Sequence, residues 1–210
     1  MSADRNPWLS QPVAPPAPAP GTITTVHLSA PTGPSTPHAG VPAPDLVDQL
    51  PMREQQRQAD LWCLGSHGGA GESTLAGLVP GWAEAGHAWP RVGVWGRTPV
   101  VLMARSDLRG LRAAQAAATQ WAAGLTPGVE LLGLVVSADS PGRLPQPLRE
   151  LLRVIAGGVP RVWELPWVES WRTDPAKPNN APRGVRRVVD ELTVLLDQSA
   201  TSALHRKDLQ

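Results

Sequence analysis

The run Gly65-Ser66-His67-Gly68-Gly69-Ala70-Gly71-Glu72-Ser73-Thr74-Leu75 holds the residue types and spacing best suited to chemistry in this sequence. Glycines at this density let backbone N–H groups close around an anion, and a hydroxyl at Ser73 has the chemistry of a Mg²⁺ ligand beside a phosphate. The charge is wrong for a strong phosphate site. Glu72 puts a carboxylate in that run, and two like charges a few ångströms apart repel by roughly 1–4 kcal/mol, depending on the local dielectric. A carboxylate at a helix N-terminus is itself favoured by about 0.3–1 kcal/mol, so Glu72 is also a candidate to take the anion's place. His67 could donate to a phosphate or act as acid or base; a lone imidazole with no evident carboxylate partner is more simply a structural hydrogen bonder. Cys63 and His67 stand four apart, but a single cysteine and no third ligand argue against a metal site.

The elements around this run position it. Leu61-Trp62-Cys63-Leu64 is a short apolar run that reads as a strand entering the loop. Beyond it Leu75, Leu78, Val79 and Trp82 fall at the i, i+3, i+4, i+7 spacing of an amphipathic helix that Gly86 would close. Val100 to Met103 is a second strand, and Asp107 can cap an alanine-rich helix that ends near Gly124. Leu131 to Val136 is a third strand, followed by a helix striped by Leu144, Leu148, Leu151, Leu152 and Ile155. Val162 to Leu165 is a fourth, and Val185, Val188, Val189, Leu192, Leu195 and Leu196 mark a closing helix. His87 to Thr98 has room for one more strand around Val92 to Trp95. Strands each followed by a helix require crossovers between parallel neighbours. The fold class expected is α/β, a doubly wound, mostly parallel sheet with the glycine loop at the carboxyl end of its first strand, where such sheets bind ligands.

Read in that context, Gly68, Gly69, Ala70, Gly71, Glu72, Ser73 and Thr74 resemble the phosphate loop of the ParA/MinD group of P-loop NTPases, which writes Lys-Gly-Gly-x-Gly-Lys-Ser/Thr-Thr here. His67 replaces the first lysine and Glu72 the second. The resemblance extends over roughly residues 59–197: Val100 to Arg105 is similar to the family's later strands, Gly133 to Val136 to the strand that ends in a base-contacting Asn, with Ser137 standing nearby, and Val162 to Trp167 to its closing strand. The interval before Val100 is too short for the family's aspartate-bearing strands. Asp107 and Asp139 follow strands but are equally explained as cap and turn residues. The resemblance implies a P-loop-like fold, a degenerate module that binds a protein partner in partition, positioning or assembly, and a homodimer. Its alternative is an active Mg-ATP-dependent ATPase with ATP and Mg as cofactors, Ser73 on the metal and Arg97 or Arg105 in place of the lost lysine. An unrelated α/β adaptor whose loop takes a different anion is a third reading.

Composition sets the outer limits. The net charge of +1, with 18% charged residues, gives no support to nucleic-acid binding through bulk charge. Lys177 and Lys207 are the only lysines, and Phe and Tyr are absent beside nine Trp, which reads as codon bias in a GC-rich genome. Trp163, Trp167 and Trp171 at four-residue spacing therefore serve packing before stacking, and Arg183, Arg186 and Arg187 a solvated face before a DNA contact. Residues 1–57 are rich in Pro, Ala, Ser and Thr and are expected to be a disordered arm, a linker or a docking peptide for a partner. The domain is expected over 58–199 and a flexible tail over 200–210. No run approaches the roughly 18–20 apolar residues of a membrane span, no basic and apolar leader is present, and a single cysteine suits a cytoplasmic protein.

Overall fold

In Leu61-Trp62-Cys63-Leu64-Gly65 no position carries a side chain that needs water, and all five residues are buried. Such a strand must lie inside a sheet covered on both faces. The computed structural model describes residues 28–93 and 97–207. In chain order its elements are a 3-10 turn at Leu46–Asp48, β1 (Met52–Glu54), β2 (Leu61–Gly65), α1 (Glu72–Ala76), β3 (Trp82–Gly86), β4 (Trp89–Arg91), β5 (Thr98–Arg105), α2 (Leu108–Ala122), β6 (Val129–Ser137), α3 (Gln146–Ala156), β7 (Val162–Leu165) and α4 (Arg183–Lys207). Two more short 3-10 turns, Glu169–Arg172 and Pro178–Asn180, lie between β7 and α4. Five strands form one parallel sheet in the order β3-β2-β5-β6-β7, while β1 and β4 pair with each other.

The twofold alternation of each strand sorts the core into two layers. Trp62, Leu64, Val100, Leu102 and Val136 face α2 and α3, meeting Leu111, Trp121 and Ile155. Leu61, Cys63, Val101, Met103 and Val135 face the other way, onto Leu75 of α1 and Val185, Val188 and Leu192 of α4. The α/β doubly wound architecture is thus present.

Three local expectations change. The helix expected from Leu75 to Gly86 stops at Ala76, and Trp82 opens β3 instead. Gly77 caps the helix, Pro80 cannot continue one, and Gly81 turns the chain at φ +88°. Of the extra strand around Val92 to Trp95, Val94 and Trp95 lie outside the described residues, and the pairing nearby is made earlier, by Trp89–Arg91. The closing helix does not end before a tail at 200 but runs on to Lys207, with no glycine or proline to stop it; residues 208–210 lie outside the described set.

The expected arm also divides. Residues 1–27 lie outside the described set, whereas Leu28 to Arg57 are laid against the body. The Thr32 N–H donates to the Pro160 carbonyl, the His38 N–H to that of Ala122, and Leu50 exchanges both its backbone groups with the Gln120 amide. Val41, Leu50 and Met52 pack on the α2–α3 layer. Proline-rich chain suits this strap because proline has no N–H to leave unpaired. At its start the Ser29 N–H donates to Glu191 Oε2 at 2.8 Å. Glu191 is fully buried and also accepts from Trp163 Nε1 and Arg187 Nε, each at 2.9 Å.

Burial alone would raise the Glu191 pKa, but the bonds from Ser29, Trp163 and Arg187 outweigh it and hold the carboxyl below the ordinary value. A depressed carboxylate contributes its stability in full above the unfolded-state value, about 4.3, and loses it as pH falls through the folded-state value. Glu191→Gln should therefore be less stable than wild type at pH 7, and the gap should narrow as pH is lowered from about 5 to about 3. Urea midpoints across that range check it; a gap that stays constant would reject the assignment.

Candidate functional site

After β2 the chain turns to one side to make β3, and then returns past β2 to make β5 on the other. The carboxyl ends of β2 and β5 therefore flank the topological switch point, the crevice where open α/β sheets take ligands. The loop from Gly65 to Gly71 lies there. Ser66 seats it, its N–H and Oγ both donating to the Met103 carbonyl of β5 at 2.9 Å.

His67 and Arg105 complete the tie. The Arg105 backbone N–H can only donate, so His67 Nε2 at 3.0 Å is bare, and Nδ1 carries the proton it gives to the Gly68 carbonyl at 2.9 Å. His67 serves as a structural hydrogen bonder. The Arg105 side chain donates from Nε to the Gly69 carbonyl and from a terminal nitrogen to the Ala138 carbonyl beyond β6, both at 2.9 Å. Ser106 Oγ donates to Asp139 at 2.5 Å and accepts the Asp139 N–H, while Asp107 caps α2 through the Gly110 N–H. Both aspartates are thus engaged as turn and cap residues. Arg97 is elsewhere: it lies 3.7 Å from Glu130 at the start of β5 and β6, the opposite end of the sheet.

The loop's crown, Gly68 and Gly69, is exposed, and Ala70 is buried in the α1–α4 layer. Gly71 starts α1 at φ +97°, where a side chain would be strained and would stand 3.4 Å from Ser137 Oγ. Ser73 and Thr74 are exposed. Glu72 is only 9% exposed, and no hydrogen bond joins it to a loop amide among the described residues. Its carboxyl group instead turns back over Gly65, where an added Cβ would meet it at 2.8 Å, and lies 3.8 Å from His87 Nε2. His87 is fixed by contact with the Gly65 carbonyl at 3.1 Å. So Glu72 does not occupy the loop's anion position, and α1, a single short turn, offers it little dipole.

Beside the loop opens a cleft of about 430 Å³. Ser73, Thr74, Arg105 and Ser137 line its polar side, and Leu165, Trp167 and Trp171 its apolar side. The three evenly spaced tryptophans therefore divide: Trp163 is buried in the core, while Trp167 and Trp171, their indole N–H groups bonded to Glu169 and Asn180, turn ring surface to the cleft. Of the terminal arginines Arg187 pairs with Glu191, and Arg183 and Arg186 are exposed. Sequence reasoning missed His87; its place just past a strand adjacent to β2 was the usable signal. No group of three or more metal-ligating side chains occurs among the described residues. Burial, reinforced by the charge of Glu72, pushes the Cys63 thiol pKa far up.

Fold and site together define an open, doubly wound α/β protein with a glycine loop at its switch point. Residues 59–189 match the family described as a family of unknown function, DUF6668, and the chain belongs to it. No curated protein and no solved structure matches it.

Gly65→Ala should lower stability by about 1 kcal/mol, because the new methyl displaces the Glu72 carboxylate. In the Gly65→Ala/Glu72→Ala double variant the two changes should couple by at least about 0.5 kcal/mol in urea unfolding, and strict additivity would place the carboxylate elsewhere. The Cys63 thiol should resist iodoacetamide in the folded protein and react on unfolding, as intact-mass spectrometry would read.

Proposed function

We propose that this chain is a degenerate ParA/MinD-like P-loop module, non-catalytic or only weakly nucleotide-binding, that works by holding a protein partner in partition, positioning or assembly. The single observation carrying this reading is Glu72. It puts a negative side chain where the family's lysine would grip the terminal phosphates, and its carboxylate lies beneath the loop among Gly65 and His87. The cation best placed to compensate, Arg105, already donates to the Gly69 and Ala138 carbonyls, which makes it a brace of the loop. Arg172, the other arginine of the cleft, pairs with Glu169, so among the described residues no unengaged cation lines the cleft to supply the charge stabilisation on which phosphoryl transfer depends.

One observation favours the second reading, an active Mg-ATP-dependent ATPase with a non-standard loop. The cleft joins the exposed hydroxyls of Ser73 and Thr74 and the side chain of Ser137 to the ring surfaces of Trp167 and Trp171, a combination that accepts a flat ring and an anion together. Affinity through stacking and hydroxyls alone is weak, so the first reading is preferred.

Isothermal calorimetry decides between them. The wild-type protein should show no saturable Mg-ATP binding below about millimolar concentration, and Glu72→Lys should tighten it at least tenfold, since about 1.4 kcal/mol is one decade. Micromolar affinity in the wild type, accompanied by phosphate release, would instead establish an ATPase with a non-standard loop.

A further inference from the structure

The strap carries the two most exposed large apolar side chains among the described residues. Leu46 is 85% and Val47 89% exposed. Their 3-10 turn is fixed all the same: the Asp48 N–H donates to the Asp45 carbonyl, the Gln49 side chain to that of Pro44, and the next residue, Leu50, is clamped by Gln120. A fixed apolar knob held out to water has lost its flexibility without gaining burial, which is the pattern of a preorganised contact. Asp45 and Asp48 flank it, and neither has an ion-pair partner among the described residues.

The complement lies on another part of the same chain. Between the outer side of α3 and the edge strand β7 is a pocket of about 580 Å³ with Leu144, Leu152 and Val162 on its apolar floor. Arg143, Arg149 and Arg153 stand around it, all exposed and all without ion pairs among the described residues; Glu164 is the one acidic side chain on its wall. Three positive charges against one negative leave an excess of two, and the knob brings two carboxylates. Apolar meets apolar at the centre, and opposite charges meet at the rim.

We propose that copies of this chain associate head to tail, the Leu46–Val47 knob of one copy entering the arginine-rimmed pocket beside α3 and β7 of the next. With one knob and one pocket engaged at each contact, the association is heterologous and propagates into a row instead of closing as a twofold dimer. Two apolar side chains and a charged rim make a weak contact, on the order of 100 μM for each association step. This surface is separate from the glycine loop and its cleft and stands whether or not the loop binds a nucleotide.

Sedimentation velocity of the full chain from roughly 10 μM to 1 mM, a span that brackets that affinity, tests it. The average mass should climb past that of two chains without a plateau, and added salt should reduce it. Leu46→Ser/Val47→Ser removes the knob and Arg149→Glu/Arg153→Glu reverses most of the rim's charge. All four positions are exposed, so circular dichroism and melting should be unchanged. Each variant alone should stay monomeric. Mixed in equal amounts they should form a two-chain species that grows no further, because the first retains only a working pocket and the second only a working knob. A wild type that is monomeric throughout, growth that either variant leaves intact, or variants that fail to combine would each overturn the proposal.

Discussion

Arg105 is the joint on which the candidate site depends. Its backbone N–H fixes the tautomer of His67, and its guanidinium draws together the Gly69 and Ala138 carbonyls. Through that one residue the loop after β2, the end of β5 and the turn after β6 become a single body. Charge-assisted bonds to carbonyls are stronger than neutral ones, so this brace orders a glycine-rich segment that would otherwise cost much backbone entropy. A phosphate loop commits its cations to the ligand; here the cation is committed to the protein. Glu72 then has no positive group in the loop to pair with, and it settles under Gly65 opposite His87.

What could be read from the sequence was the part in which one signal dominates. From β5 to α4 the apolar runs and helical stripes are long, and each element was legible within a few residues of its ends except the C-terminal end of α4. The stretch from Leu75 to Gly86 failed because two signals compete there: a four-residue apolar stripe fits a helix, while Gly77, Pro80 and Gly81 forbid one. Backbone chemistry prevailed. The pair β1 and β4, three residues each, exists only because the chain brings them together, and no local pattern announces it. For the site, composition identified the loop and the reversed charge at Glu72. The direction of that carboxylate and the engagement of Arg105 were not legible, since both depend on strands almost forty residues apart meeting side by side. The part of the arm from Leu28 to Arg57 misled for a similar reason: its prolines suit solvent-exposed chain, yet Val41, Leu50 and Met52 supply enough apolar surface to hold it down.

A core without phenylalanine or tyrosine carries a polar cost of its own. Trp62, Trp89 and Trp121 are all fully buried, and each brings an indole N–H into the interior. Gln120 serves Trp89 at 2.9 Å while also clamping Leu50, so one buried amide satisfies a tryptophan and the strap together. Trp62 and Trp121 have no partner for theirs among the described residues. At about 1–3 kcal/mol for each unmet buried donor, such tryptophans are tolerated because their rings fill space that alanine and valine cannot.

The strap has a consequence for how the molecule is made. Ser29 bonds Glu191 across 162 positions of sequence, and Thr32 reaches Pro160 across a comparable span. During synthesis His38 and Leu50 can find Ala122 and Gln120 once α2 is made, whereas Ser29 finds Glu191 only after the last helix has been translated. The strap is therefore laid down in stages, from its Leu50 end back to Ser29, and closure of the longest of these loops comes last.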